Sequence, residues 1–202
     1  MSGYRYELVG GHPALDFLNT IGDWTATERE DRLAGFSDAV RFGVAAGVLT
    51  QAEARALRSR RGGEEIGRLR ELRGRLERIL GALLARVAPR QGDLDRLAQD
   101  AGAAAAAARL RVVRGRLVRR IEVADAGGAT LRWRLAEAAT SLVHSPRWER
   151  VKRCPRCAWF FLDSSKNGSR RWCSMAMCGS ATKSRNYYRR TRGRGFSARP
   201  LP

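Results

Sequence analysis

The chain has 202 residues, 44% hydrophobic and 29% charged, with a formal net charge of +19. That is enough apolar material for one packed domain or two small ones, and no apolar run approaches the roughly 20 residues needed to cross a bilayer. The charge is uneven: residues 151–202 hold thirteen Lys and Arg against one acid, Asp163, an asymmetry that favours a polyanionic partner.

Tyr4 to Val9 alternates aromatic or apolar with polar residues and predicts a short strand, ended by Gly10-Gly11. The first eleven residues have no apolar core of an export signal, so the chain is expected in a reducing cytoplasm. Pro13 suits a first helical turn, and Ala14, Leu15, Phe17, Leu18 and Ile21 then make a helical stripe. Trp24 to Gly35 reads as irregular. Ser37 is the expected N-cap of a helix through Val40 and Phe42 that stops at Gly47. Thr50-Gln51-Ala52-Glu53 is a capping box opening another helix, which Gly62-Gly63 ends.

From Glu64 to Val87, leucines and isoleucines recur every three or four residues, predicting one buried helical face with the arginines on a solvated one. Asp93 is the expected cap of the next helix, which runs through the alanine stretch 103–108. The period then changes. Leu110 to Val113 and Leu117 to Val123 read as strands joined at Arg114-Gly115-Arg116. Ala124 to Ala129 reads as a loop, and Leu131 to Val143 as a helix ended by Pro146. Residues 1–148 therefore read as a mainly helical α+β domain with a small antiparallel sheet.

The only four cysteines, Cys154, Cys157, Cys173 and Cys178, follow as C-x2-C, fifteen residues, then C-x4-C. Tetrahedral Zn²⁺ takes two close pairs separated by a hairpin-sized interval, and four thiolates close its shell, so the metal would be structural. An iron–sulfur cluster and a redox pair are the alternatives. Ala158 to Leu162 reads as a strand that returns at Arg170 to Trp172, with Trp159, Phe161 and Trp172 as a mini-core. Ser174 to Arg192 reads as a helix. Last ligands at a helix start predict a treble clef over 149–192, followed by a disordered basic tail, 193–202. Arg170, Arg171, Lys183, Arg185, Arg189 and Arg190 are the candidate contacts to phosphates and base edges. Double-stranded DNA is the expected partner, and RNA or the ribosome the alternative. No catalytic constellation accompanies them, so no enzyme is expected. In the N-terminal half, His12, Asp16 and Asn19 form the most site-like polar group: they either bind a small ligand or fix the first helical turn.

The run Cys154-x2-Cys157, Trp159-x-Phe161-Leu162-Asp163, Arg171-Trp172-Cys173-Ser174-Met175-x2-Cys178-Gly179 and Lys183 resembles the CGNR-type zinc finger of bacteria. Gly11-His12-Pro13-Ala14-Leu15-Asp16-Phe17-Leu18-Asn19-Thr20 resembles the opening of the ABATE domain that accompanies it. The resemblance implies a DNA-binding treble-clef finger with four cysteine ligands, an N-terminal domain sensing an unidentified small ligand, and a stress-responsive transcription regulator. In the family's name-giving run Gly179 is kept, while Ser180 stands for Asn and Ala181 for Arg. The second change removes a candidate phosphate or base contact.

Overall fold

The computed structural model describes residues 4–58 and 63–193, without the side chains of Asn186 and of residues 189–193. The expectations for Arg189, Arg190 and the tail beyond Gly193 lie outside the described residues. In chain order come α1 (Pro13–Leu18), α2 (Phe36–Ala45), α3 (Gln51–Arg58), α4 (Gly63–Leu84) and α5 (Gln91–Ala107). The hairpin β1 (Ala108–Val113) and β2 (Arg116–Ile121) follows, then α6 (Val123–Ala126) and α7 (Ala129–Val143). A 3₁₀ turn over Pro146–Arg150 leads to β3 (Val151–Arg153) and β4 (Phe160–Leu162), a π-helical turn over Met175–Gly179, and α8 (Ser180–Gly193). The architecture is α+β, with two separate two-stranded antiparallel sheets among the described residues.

The shortest early helix is the hub. Ala14, Leu15, Phe17 and Leu18 of α1 are fully buried, with α4, α7 and β4 packed around them. Pro13 starts this helix and His12 Nδ1 accepts the Ala14 N–H at 3.3 Å. The preceding chain comes very close: a Cβ on Gly10 would lie 2.9 Å from the backbone nitrogen of Asp16, so this position needs glycine. In α4, Leu69, Leu72, Leu76, Ile79 and Leu80 face the core as the periodicity predicts. The capping box at α3 forms as expected, with Thr50 N–H to Glu53 Oε2 at 2.8 Å and Glu53 N–H to Thr50 Oγ1 at 3.2 Å.

Several local expectations give way to tertiary contacts. Tyr4 to Val9 finds no partner strand; instead the Tyr6 hydroxyl donates to Arg32 O and Asp38 O. Helix α2 is capped at Gly35, whose N–H goes to Asp38 Oδ2 at 2.9 Å, two residues ahead of the expected cap Ser37. Helix α5 starts before Asp93, because that carboxylate is drawn into a two-pronged pair with Arg78. Val123, expected to end a strand, and residues 124–126, expected as loop, make one helical turn instead. The arginines of α4 are not all solvated: Arg73 is buried, donating to Thr20 Oγ1 at 2.8 Å and to both oxygens of Asp31. Strand β4 pairs with β3, in register Val151↔Leu162, and not with residues 170–172. Val151, Phe160 and Leu162 belong to the same apolar core as α1, α4 and α7, so packing continues across residue 148.

Candidate metal centre and nucleic-acid surface

Strand β3 runs into Cys154, and the chain turns at once. Cys154 N–H donates to Trp159 O at 2.8 Å and Ala158 N–H to Cys154 O at 2.9 Å, with Ala158 at φ 55°. This knuckle points Cys154 and Cys157 to one side. The second pair is set by Ser174, whose carbonyl accepts the Cys178 and Gly179 N–H groups at 3.0 and 3.1 Å. Ser174 Oγ also accepts the Met177 N–H at 3.3 Å, so the π-helical turn presents Cys178 just where α8 begins. Ser180 donates its hydroxyl to Met175 O at 3.0 Å and steadies the same turn.

All four thiols are buried and their sulfurs lie within 4.8 Å of one another. Cys157–Cys173, Cys173–Cys178 and Cys178–Cys157 separations are 3.6, 3.5 and 3.5 Å. A tetrahedron with Zn–S arms of ~2.3 Å has edges of about 3.8 Å. Sulfurs in a disulfide sit about 2.0 Å apart, so these are unlinked thiols. Hydrogen bonds from Cys157 and Cys173 hold Cys154 far below the usual thiol range. Sharing with Cys154 pushes Cys157 up to about 12 and raises Cys173 further. Four thiolates coexist here only around a dication. The all-sulfur donor set fits zinc, which would supply a rigid anchor and, with a closed shell, no site for reacting water.

The finger is fastened to the helical body at several points. Asn19, at the end of α1, donates its amide to Phe160 O at 2.9 Å and accepts Phe160 N–H at 3.0 Å. Trp159 Nε1 donates to Ile21 O at 2.8 Å, Trp24 N–H to Cys157 O at 3.1 Å, and Leu162 N–H to Gly10 O at 2.8 Å. Trp159 and Phe161 are fully buried beside the cysteines, with Trp172 partly so, as the mini-core expectation had it. Asp163, the finger's one acid, is buried too. Its burial raises its pKa, but Lys152 at 2.7 Å and Ser165 outweigh that and hold it well below the ordinary carboxylate range. Asp163 belongs to the run that carries the finger resemblance, but nothing in that run foretells its burial.

The expected contact residues divide. Arg170 is an internal staple: it donates to Val9 O at 2.9 Å, Trp172 O at 3.0 Å and Leu162 O at 3.3 Å, and also to Cys173 O, while lying over the Phe161 ring. Carbonyls consume its donors, which removes it as a phosphate contact. Arg171 is exposed over Trp172, and Lys183 and Arg185 are exposed on α8.

His12, Asp16 and Asn19 are likewise spent on backbone groups. His12 caps α1, Asn19 grips β4, and Asp16 Oδ1 accepts Gly10 N–H at 2.7 Å. Burial pushes the Asp16 carboxyl up to about 6, against the pull of Gly10 N–H and Arg170. All three side chains are thus engaged with backbone groups at the two ends of α1. A cleft of about 370 Å³ does open where residues 22–32 cross the finger, lined by Gly22, Asp23, Glu28, Glu30, Arg32 and Arg156 among others. Arg73 and Asp31, which hold this loop, were missed because an arginine inside a helical stripe carries no mark of burial.

Two family models match the chain. One, described as "CGNR zinc finger", covers residues 150–191. The other, ABATE, described as "Putative stress-induced transcription regulator", covers residues 11–146. No curated protein matches. With the sulfur geometry, the finger match assigns Zn²⁺ to Cys154, Cys157, Cys173 and Cys178. No described helix is long and apolar enough to cross a membrane.

Proposed function

The chain belongs to the ABATE family and carries a CGNR zinc finger, and from that premise we propose that it is a zinc-dependent regulator of transcription that binds double-stranded DNA through that finger. One observation carries the reading. Lys183 and Arg185 stand exposed on the helix that starts at the ligand Cys178, so the metal fixes the helix that displays them. We read this knuckle, hairpin and helix as a treble clef. Exposed Arg171 adds a cation on the adjoining segment.

The helical body is the part that senses a small ligand. The bonds from Asn19, Ile21 and Trp24 to the finger are the route by which a shift of α1 or of the 22–32 loop would reach it.

The test is competition between duplex DNA and RNA for the zinc-loaded chain, with random-site selection, at several salt concentrations. If the protein neutralises about four to six phosphates, log K falls against log salt with a slope near −4 to −5. A flat salt response removes nucleic acid as the partner, and stronger RNA binding favours the RNA reading.

A further inference from the structure

The β1–β2 hairpin has an exposed tip, while its base is tied to the helical body through buried Ile121 and the pairs Arg119–Glu137 and Arg120–Glu53. It is stitched by a two-residue Arg114-Gly115 turn, both residues at positive φ (51° and 73°), the turn that matches strand twist. Its fourteen residues contain six arginines and no acid. The register pairs Leu110 with Arg119 and Val112 with Leu117. One face therefore carries Arg109, Arg111, Arg116 and Arg120 beside Val113 and Val118, and the other Leu110, Val112 and Leu117 beside Arg119, because side chains alternate along a strand. Arg120 pairs with Glu53 at 2.9 Å and Arg119 with Glu137, while Arg109 and Arg111 make only loose pairs, at 3.5 Å to Asp125 and 3.7 Å to Glu122. Arg114 and Arg116 make no ion pair among the described residues.

From this we infer that the hairpin is a second, independent duplex-DNA contact: a basic ribbon that enters a groove with its Arg114-Gly115-Arg116 tip leading. The inference rests on the DNA-binding reading above. A major groove about 12 Å wide admits a two-stranded ribbon. Six-residue strands reach about 20 Å, enough to lie along it and bring the Arg114-Gly115-Arg116 tip to a phosphate backbone. The guanidinium groups match phosphate oxygens and guanine edges. The aliphatic face is the feature a rival must use. Leu110, Val112 and Leu117 are 63, 73 and 68% exposed, which would suit a second copy of the chain. Two such ribbons would each carry the net positive charge of six arginines and no acid into the contact, and that charge favours a polyanion instead.

The test follows duplex binding by the full, zinc-loaded chain across salt, for the parent, for Arg114→Gln with Arg116→Gln, and for Arg86→Gln with Arg90→Gln as a control of equal charge loss. Two lost phosphate contacts make the slope of log K against log salt shallower by about 1.8. The hairpin variant's deficit then grows roughly tenfold as salt falls from ~0.2 to ~0.05 M, while the control keeps the parent slope. An unchanged slope in the hairpin variant, or an equal change in the control, overturns the inference. So does a parent dimer that Leu117→Ser dissociates while hairpin arginine variants bind normally. If Lys183→Gln with Arg185→Gln lowers the slope and the hairpin variant does not, only this inference falls. A parent with no salt-dependent duplex binding takes the proposed function down with it.

Discussion

Asn19→Ala is the sharpest probe of how the finger is held. Asn19 is 3% exposed and satisfies both backbone groups of Phe160 on the outer edge of β4, at 2.9 and 3.0 Å. Truncation loses two hydrogen bonds, each about 1 kcal/mol net, and leaves a buried N–H and C=O without partners at about 1–3 kcal/mol each. Allowing for relaxation and entry of water, the expected loss is about 3–5 kcal/mol, a large share of the roughly 5–15 kcal/mol that holds a domain together. For a chain of this size that is a fall in Tm of about 6–20 °C. Urea denaturation of the zinc-loaded protein, followed by near-UV circular dichroism of its buried tryptophans, measures it. Zinc loss to a chelator should also quicken, since β4 supports the first cysteine pair. A variant within about 0.5 kcal/mol of the parent refutes the role of Asn19 as a joint. Asn19→Asp keeps the acceptor for Phe160 N–H but turns a carboxylate oxygen on Phe160 O, so it is also expected to destabilise.

Cys173→Ser should abolish stoichiometric zinc and unfold the C-terminal part; retention of one zinc per chain by elemental analysis would break the metal assignment. Arg170→Gln should cost about 2–4 kcal/mol through lost charge-assisted bonds to buried carbonyls, with the salt slope of DNA binding unchanged. A slope shallower by about 0.9 at unchanged stability would return Arg170 to the DNA surface. Asp16 gives a pH signature. Its native pKa of about 6 exceeds the ordinary carboxylate value, so between the two the native state holds a proton that the unfolded chain has released. Its contribution is therefore present at low pH and lost as pH rises through about 6. Asp16→Asn lacks this titration and should gain on the parent by about 1.3 kcal/mol between pH 5 and 7, out of about 3 kcal/mol over the whole span from below pH 4 to above pH 6. A pH-independent difference in denaturation midpoints would refute it.

What the sequence makes legible follows from where its signals are local. The helical stripe of α4, the Thr50–Glu53 capping box and the Arg114-Gly115 turn depend on neighbours a few residues apart, and all three form. The cysteine spacing is of the same kind: C-x2-C encodes a knuckle and C-x4-C a helix start whatever lies elsewhere. The failures are long-range. Tyr4 to Val9 alternates like a strand, but pairing requires a partner edge, and the Gly10 and Asn19 backbone and side-chain groups already occupy the open edge of β4. Residues 170–172 alternate well enough to return along β4, yet β3 reaches it first because the knuckle folds it back directly.

The same distinction governs the charge. Net charge counts every arginine alike, whereas function depends on which ones keep their donors free. Arg73 is used up on Thr20 and Asp31, Arg170 on four carbonyls, and Arg134 on Glu53, Val48 O and Ile121 O. Among the described residues, the exposed cations without an ion pair include Lys166, Arg171, Lys183 and Arg185 on the finger and Arg114 and Arg116 on the hairpin. The C-terminal asymmetry pointed to the first group and concealed the second, because the acids of α4 and α5 dilute the hairpin's cations in any long window of sequence. A structure resolves the two because ion pairs consume charge by distance and not by position in the chain. The residual cations fall on two separate surfaces, and a regulator that grips one duplex at both would lose far more affinity from a double removal than from either alone only if the two contacts engage together. Combining the finger and hairpin substitutions measures this directly. Salt slopes that fall by the sum of the single changes place both surfaces on the same DNA, whereas a double variant no worse than the finger variant leaves the hairpin off it.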